Sequence, residues 1–192
     1  MASKNLVIIG SSTGGPEALT RLFAEMPPLD AVIILVQHMP AFINESMAAG
    51  LRRTSKMDAR VIKEGEVFEK GVLYLAPSGR HLVFGAAGDA RFSDEEKVNF
   101  VRPSIDVVME SVRPKTYEKV VGVILTGMGK DGARGLKYLK ESGALTLAQD
   151  EASSVVFGMP RAAIELGGVD TGLSLERIAA RLLNFVGSFK PA

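Results

Sequence analysis

Four consecutive apolar residues, Leu6-Val7-Ile8-Ile9, run without a break into Gly10-Ser11-Ser12-Thr13-Gly14-Gly15-Pro16. An apolar run of this length that ends in small residues reads as a strand buried on both faces, followed at once by a tight turn. Pro16 can then open a helix, because proline suits the first helical position. Gly10, Ser12 and Gly14 fit G-x-S-x-G, the pattern that holds a serine on a sharp strand-to-helix turn. A serine placed there projects its hydroxyl at the carboxyl edge of a sheet, beside a helix N-terminus that favours negative charge. Taken alone the pattern is weak, since small-residue turns between strand and helix are common.

The same arrangement recurs twice. Ala31 to Val36 is a second buried run and leads into Gln37-His38-Met39-Pro40. Val120 to Leu125 is a third and leads into Thr126-Gly127-Met128-Gly129-Lys130-Asp131-Gly132. Between the first two, Ala18, Leu19, Leu22 and Phe23 fall at helical spacing over Glu17 to Met26, and Pro27-Pro28 ends the helix. Strand, helix, strand in this order predicts a parallel pair joined by a right-handed crossover. Further helices are expected over Phe42–Leu51, from the cap Ser104 through about Val112, over Ala133–Ser142, from Pro160 through Leu166, and over Leu175–Val186 behind the cap Ser174. Ala59–Ile62 and Ala144–Ala148 read as short strands. Gly71–Ala76 and His81–Gly85 flank Pro77-Ser78-Gly79-Arg80, which is hairpin chemistry, and a further short strand is expected near Arg91.

Three loops after three buried strands therefore carry Ser12, His38 and Asp131. In an open parallel sheet these loops share one edge, where ligands bind. A serine hydroxyl is a weak nucleophile unless a base assists it. His38 would take its proton, and Asp131 would hold the imidazole in the required tautomer. Backbone N–H groups of Thr13, next to the serine, and Met128, in the facing glycine loop, are candidate donors to an oxyanion. His81 falls in the expected hairpin and reads as structural.

A competing pattern uses the same loop. Gly127, Gly129 and Gly132 fit G-x-G-x-x-G between a strand and a helix, and Asp150 follows at the end of the next strand, where a ribose-binding acid would stand. Against this nucleotide-binding, Rossmann-like reading, Asp131 would lie close to the pyrophosphate, a like-charge contact. On pattern alone the two readings stand level.

Composition narrows the field. Lys plus Arg is 23 against 22 for Asp plus Glu, a net charge of +1, which argues against nucleic acid as a partner. The 192 residues include no cysteine and only two histidines, His38 and His81, so a metal centre is not expected. No apolar run is long enough for a membrane span, and Met1-Ala2-Ser3-Lys4 lacks the layout of a signal peptide. A cytoplasmic single domain over residues 1–192 is the expectation.

Longer blocks decide between the patterns. Ile9-Gly10-Ser11-Ser12-Thr13-Gly14-Gly15-Pro16, Gln37-His38-Met39, Leu125 through Ala133, and Ala148-Gln149-Asp150-Glu151-Ala152-Ser153-Ser154-Val155-Val156-Phe157-Gly158-Met159-Pro160 resemble, in order, the catalytic domain of the chemotaxis protein-glutamate methylesterases (CheB). Leu75-Ala76-Pro77 with His81-Leu82, and Arg102 through Val107, are further blocks of this kind. The resemblance implies an α/β fold, a three-layer doubly wound and mostly parallel sheet with helices on both faces and a β-hairpin insertion. It implies a serine hydrolase without cofactor that removes methyl groups from glutamate γ-esters on chemoreceptor helices, with glutamine deamidation as related chemistry. Ser12 matches the family's nucleophile, His38 its base and Asp131 the residue that orients the base. Met128 matches an oxyanion donor, and Thr13 lies beside the nucleophile. Family members usually carry a phospho-accepting receiver domain, which has no counterpart before Leu6; within a longer protein, such a domain and a histidine-kinase pathway would be further partners. Ser11 and Val101 depart from the family's usual residues. Arg52, Arg53, Lys56 and Arg60 form a basic cluster that reads first as a solvated surface, with glutamate-rich receptor helices as the alternative.

Overall fold

The structure is a computed structural model and describes residues 4–188; the Met1-Ala2-Ser3 opening and the outer limits of the expected 1–192 domain lie outside the described residues. Nine strands and six α-helices follow one another as β1 (Leu6–Ser11), α1 (Gly15–Phe23), β2 (Val32–Gln37), α2 (Asn44–Thr54), β3 (Asp58–Val61), β4 (Val72–Leu75), β5 (His81–Phe84), β6 (Ala90–Ser93), α3 (Ile105–Ser111), β7 (Val120–Ile124), α4 (Ala133–Glu141), β8 (Leu145–Gln149), α5 (Gly158–Glu165), β9 (Thr171–Leu173) and α6 (Leu175–Val186). Seven strands form one sheet in the order β3-β4-β2-β1-β7-β8-β9, with every pairing parallel.

Period-two alternation sorts the central strands into two cores. Val7 and Ile9 of β1 face a cluster built from Leu19 and Phe23 of α1, Ala48 and Leu51 of α2, and Ile178 and Leu182 of α6. Leu6 and Ile8 face the other way, against Ile105 and Met109 of α3, Leu136 and Leu139 of α4, and Met159 and Ala163 of α5. Helices on both faces explain why β1, β2 and β7 are apolar throughout.

The chain leaves β1 toward β2 on one side and returns beside β1 on the other as β7. The sheet's order therefore reverses between β1 and β7, and a crevice opens at the carboxyl ends of strands at such a point. Both glycine turns, after β1 and after β7, fall there.

The hairpin lies further along the chain than the sequence predicts. Gly71–Ala76 does not pair with His81–Gly85. β4 is buried at all four positions and enters the main sheet between β2 and β3. β5 pairs instead with β6, antiparallel, across Gly85–Asp89. A strand apolar on both faces gains more between two covered neighbours than on a two-stranded ribbon. β9, three residues at the sheet's edge, has no counterpart in the sequence reading.

Candidate active site

Ser12 is the residue after β1, and His38 the residue after β2. Ser11 pairs with Gln37 in register, so the two leave adjacent parallel strands side by side. The backbone of Ser12 is held from three directions. Its N–H donates to the Thr126 carbonyl (3.0 Å), and its carbonyl accepts from Gly15 N–H (2.8 Å) and from the Gln37 side-chain amide (2.9 Å). Gln37, 2% exposed, also donates to the His38 carbonyl (2.8 Å) and accepts from the Ser11 hydroxyl (2.7 Å). One buried amide thus ties the serine turn to the histidine loop.

The loop after β7 presses against this turn. A Cβ added to Gly127 would lie 2.8 Å from Ser12 Cβ and would overlap the Met159 sulfur. Glycine is required at 127 for this approach. Gly14 is required for its backbone, at φ +80°, in the left-handed region that starts α1. Thr126 Oγ1 donates to the Thr13 carbonyl (2.9 Å), and its N–H donates to the buried Gln149 side chain (2.8 Å). Gln149 thereby braces the second loop as Gln37 braces the first.

Asp131, 3% exposed, reaches His38: Nε2 of the imidazole lies 2.9 Å from Asp131 Oδ2. Donation from Nε2 to the carboxylate leaves the lone pair on Nδ1. Four further donors converge on the carboxylate. They are Ser104 Oγ (2.6 Å), Ile105 N–H (2.7 Å), the Asn99 side-chain amide (2.9 Å) and, more distantly, Asp106 N–H (3.4 Å). Three of these belong to the start of α3, so Asp131 sits on a helix N-terminus supplied by a remote part of the chain. Burial pushes this carboxyl up, but the hydrogen bonds from His38, Ser104, Ile105 and Asn99 outweigh it and hold Asp131 below the ordinary aspartate value. Neighbouring Asp106 moves the other way. Burial raises it, the Gly135 N–H bond lowers it, the Asp131 charge raises it further, and the net direction is up.

The structure therefore brings His38 and Asp131 into hydrogen-bond contact and sets Ser12 on the adjacent strand end. Among the described residues the Ser12 hydroxyl has no internal hydrogen bond. Thr13 is exposed and Met128 is 76% exposed, and neither backbone N–H has an internal partner among the described residues. His81 is buried and structural, as its sequence context implies. Its Nδ1 accepts from Ser104 N–H (3.1 Å), and its Nε2 donates to the Glu96 carbonyl (3.0 Å). It thus steadies the residue whose hydroxyl holds Asp131.

The nucleotide-binding reading fails on three observations. The N-terminus of α4, where a pyrophosphate would sit, already gives its Gly135 N–H to the Asp106 carboxylate (2.7 Å). Gly127 is filled against Ser12. Asp150 is spent on its own loop, accepting from Ser153 N–H (3.0 Å) and Oγ (2.6 Å). The basic cluster is met by acids on the chain's own surface. α2 carries the chain back from the crevice toward the amino end of β3, taking Arg52, Arg53 and Lys56 with it. Arg52 faces Asp58, Lys56 faces Glu25, and Arg60 faces Glu66 and Glu69.

Sequence reasoning missed Gln37, Asn99, Ser104 and Gln149 as parts of the site. A polar residue closing an apolar strand was the available signal for both glutamines. For Ser104 the cap signal was read, but not its second bond. Four residues carry exposed apolar side chains that sequence reasoning did not single out as such: Phe42 (85%), Phe100 (93%), Met128 (76%), named there only for its backbone N–H, and Val155 (66%). Each lies close in sequence or space to His38, Asn99, Gly127 or Gly14, respectively.

Among the described residues no helix is long and apolar enough to cross a membrane. A family model described as CheB methylesterase matches residues 7–182. Protein-glutamate methylesterase/protein-glutamine glutaminase 4 of Anaeromyxobacter dehalogenans is 45% identical over 186 residues, covering 95% of this chain and 52% of that protein. The protein-glutamate methylesterase/protein-glutamine glutaminase of Pectobacterium atrosepticum is 42% identical over 186 residues, with 95% of this chain and 53% of that protein covered. The chain thus spans about half the length of the curated relatives it matches. The crystal structure of the Thermotoga maritima CheB methylesterase catalytic domain superposes with a TM-score of 0.89 at 38% identity, over 96% of this chain and 100% of that one.

Proposed function

Since the chain belongs to the CheB methylesterase family, we propose that it hydrolyses glutamate γ-methyl esters on the cytoplasmic helices of chemoreceptors, releasing methanol, and deamidates glutamine side chains by the same route. The observation that carries this reading is the His38–Asp131 hydrogen bond at the strand end beside Ser12, at the point where the sheet reverses.

In the proposed mechanism Ser12 Oγ attacks the ester carbonyl while His38 accepts its proton on Nδ1, the nitrogen left free by Asp131. The N–H groups of Thr13 and Met128 receive the oxyanion. Collapse expels the methoxy group, which takes the proton from His38 and departs as methanol, leaving a glutamyl–Ser12 ester. Water, giving a proton to His38, then attacks that ester; Ser12 Oγ departs with the proton from His38, and the glutamic acid formed ionises to its carboxylate, releasing a proton to solvent. A glutamine substrate follows the same steps with ammonia leaving. Asp131, ionised throughout, favours the imidazolium that forms in each half. Exposed Met128, next to Gly127, and exposed Val155, packed against Gly14, leave the site open to a side chain presented by a folded protein surface.

The test is incubation with receptor carrying labelled methyl esters, comparing volatile label released by the parent chain and by Ser12→Ala. Release that depends on Ser12 is expected. Equal release from both, or none from the parent, overturns the reading.

A further inference from the structure

Two carboxylates buried side by side need a reason to coexist. Asp131 and Asp106 are each 3% exposed, and each raises the cost of ionising the other. Arg134 on α4 is the nearby guanidinium, but Glu110 holds it with two hydrogen bonds. His38 reaches Asp131 only. One side chain touches both acids. Asn99 Nδ2 lies 2.8 Å from Asp106 Oδ2 and 2.9 Å from Asp131 Oδ1, and an amide NH2 has one hydrogen for each.

The backbone that delivers this amide is unusual. Asn99 and Phe100 both have positive φ, +52° and +66°, inside a tight turn closed by Val101 N–H to the Val98 carbonyl (3.1 Å). Positive φ at both central positions is the mark of the I′ turn class. Asparagine tolerates that region better than most residues, and phenylalanine poorly. Phe100 is 93% exposed, so no packing of its own holds the turn. The strain is sustained where one neighbour points inward at two buried acids, a pattern that signals a constrained role.

We propose that Asn99 is a positioning residue for the hydrolysis proposed above: its amide bridges Asp106 and Asp131, fixing the Asp131 carboxylate in the orientation that meets His38. Through Asp106 and its bond to Gly135, the same bridge ties Asp131 to the start of α4. The inference rests on the hydrolase reading for its kinetic consequence, but not for its electrostatic one.

Two variants separate the amide from the turn. Asn99→Gly removes the amide while glycine adopts the positive φ freely. Asn99→Asp keeps the shape and adds an acceptor where a donor is required. The Asp131 titration is followed by carbon NMR of its carboxyl, alongside kcat and KM for methanol release and the thermal unfolding midpoint. The groups facing Asp131 in this titration are His38 from the loop after β2 and Asp106 from α3, with Arg134 and Glu110 beyond them. In Asn99→Gly the Asp131 midpoint should rise and kcat should fall on the order of 10-fold or more, the scale of one hydrogen bond to a charged group. KM should stay close to the parent's, and the unfolding midpoint should fall modestly, because a hydrogen bond that lowers the folded Asp131 value also stabilises the folded chain. Asn99→Asp should not rescue kcat. An Asp131 midpoint equal to the parent's, an unchanged kcat, or a rescue by Asn99→Asp overturns the proposal. If the parent itself releases no methanol, the hydrolase reading falls, and the carboxyl titration still decides whether Asn99 holds Asp131.

Discussion

The two glycine-rich turns at the carboxyl edge of the sheet look alike in sequence and do different work. After β1, the turn is held by its backbone: Thr126, Gly15 and Gln37 all bond Ser12 main-chain atoms, and among the described residues the Ser12 side chain is left without an internal hydrogen bond. After β7, the turn is held at its far end by a side chain, because Asp131 is drawn inward onto the N-terminus of α3 while Met128, Gly129 and Lys130 stay exposed. Gly14 serves a left-handed backbone; Gly127 serves a close approach to Ser12. A glycine pattern therefore carries little meaning until its neighbour is known. The fingerprint G-x-G-x-x-G is present after β7, yet the space a dinucleotide would need is taken by Ser12 on one side and Asp106 on the other.

The sharpest contrast between the turns comes from removing the one group each contributes to the proposed chemistry. Ser12→Ala should cost on the order of 10⁶ in kcat, by analogy with loss of a serine nucleophile elsewhere, and leave the fold intact. Asp131→Asn should cost on the order of 10⁴, because an amide does not hold the imidazole in the same tautomer or favour its charged form. Both are read from methanol release under single-turnover conditions. Equal losses would mean that the two turns act as one unit. An Asp131→Asn variant near full rate would remove Asp131 from the mechanism.

Most of this was legible before any coordinates, and for a physical reason. A parallel sheet covered on both faces demands continuous apolar runs, so β1, β2 and β7 could be read directly, and the loops that follow them had to share an edge. The α6 bounds and the Ser174 and Ser104 caps agree with their sequence signals. The hairpin was misplaced because the Pro77–Gly79 turn signal says nothing about which neighbours a strand will find. β9 escaped because three residues, two of them exposed, carry no periodicity. At the site, Ser12 and His38 directly follow strand ends, where position is cheap to infer, and Asp131 lies in the loop that joins β7 to α4. The bonds from Asn99 to Asp131 and from Thr126 to Gln149 join residues more than 20 positions apart, and local pattern cannot show such pairs.

Gly127→Ala tests whether the second turn must press against the first. The added methyl would collide with Ser12 Cβ and the Met159 sulfur. Overpacking of this kind costs roughly 1–3 kcal/mol, and a displacement near 1 Å in a reacting group can cost about 10²-fold in rate. The expected result is a kcat loss of about that size with a modest fall in the unfolding midpoint. A parent-like kcat would show that the loop does not set the position of Ser12.

Acid titration sharpens the same contrast by stability instead of rate. Asp131 is held below the ordinary aspartate value in the folded chain, which for an unfolded chain is about 3.9. Its contribution is therefore complete above that value and is lost as pH falls through the lower folded value. Urea unfolding of the parent and of Asp131→Asn should differ by a constant amount above about pH 5 and converge at lower pH. A gap that stays constant into acid would mean that the ionised carboxylate is not what stabilises the loop.

The smallest effect is expected at Asp150. It has the right distance from the second turn for a ribose-binding acid, but its carboxylate closes the loop that ends on Ser153. Asp150→Asn keeps one acceptor oxygen there, so methanol release should stay within about twofold of the parent, as expected when an exchange leaves a loop bond largely in place. Adding NAD should leave the unfolding midpoint of both proteins unmoved, since a ligand raises stability only in proportion to its binding to the folded state. A rise in the parent's midpoint that Asp150→Asn abolishes would restore the nucleotide reading to the second turn and break the contrast between the two.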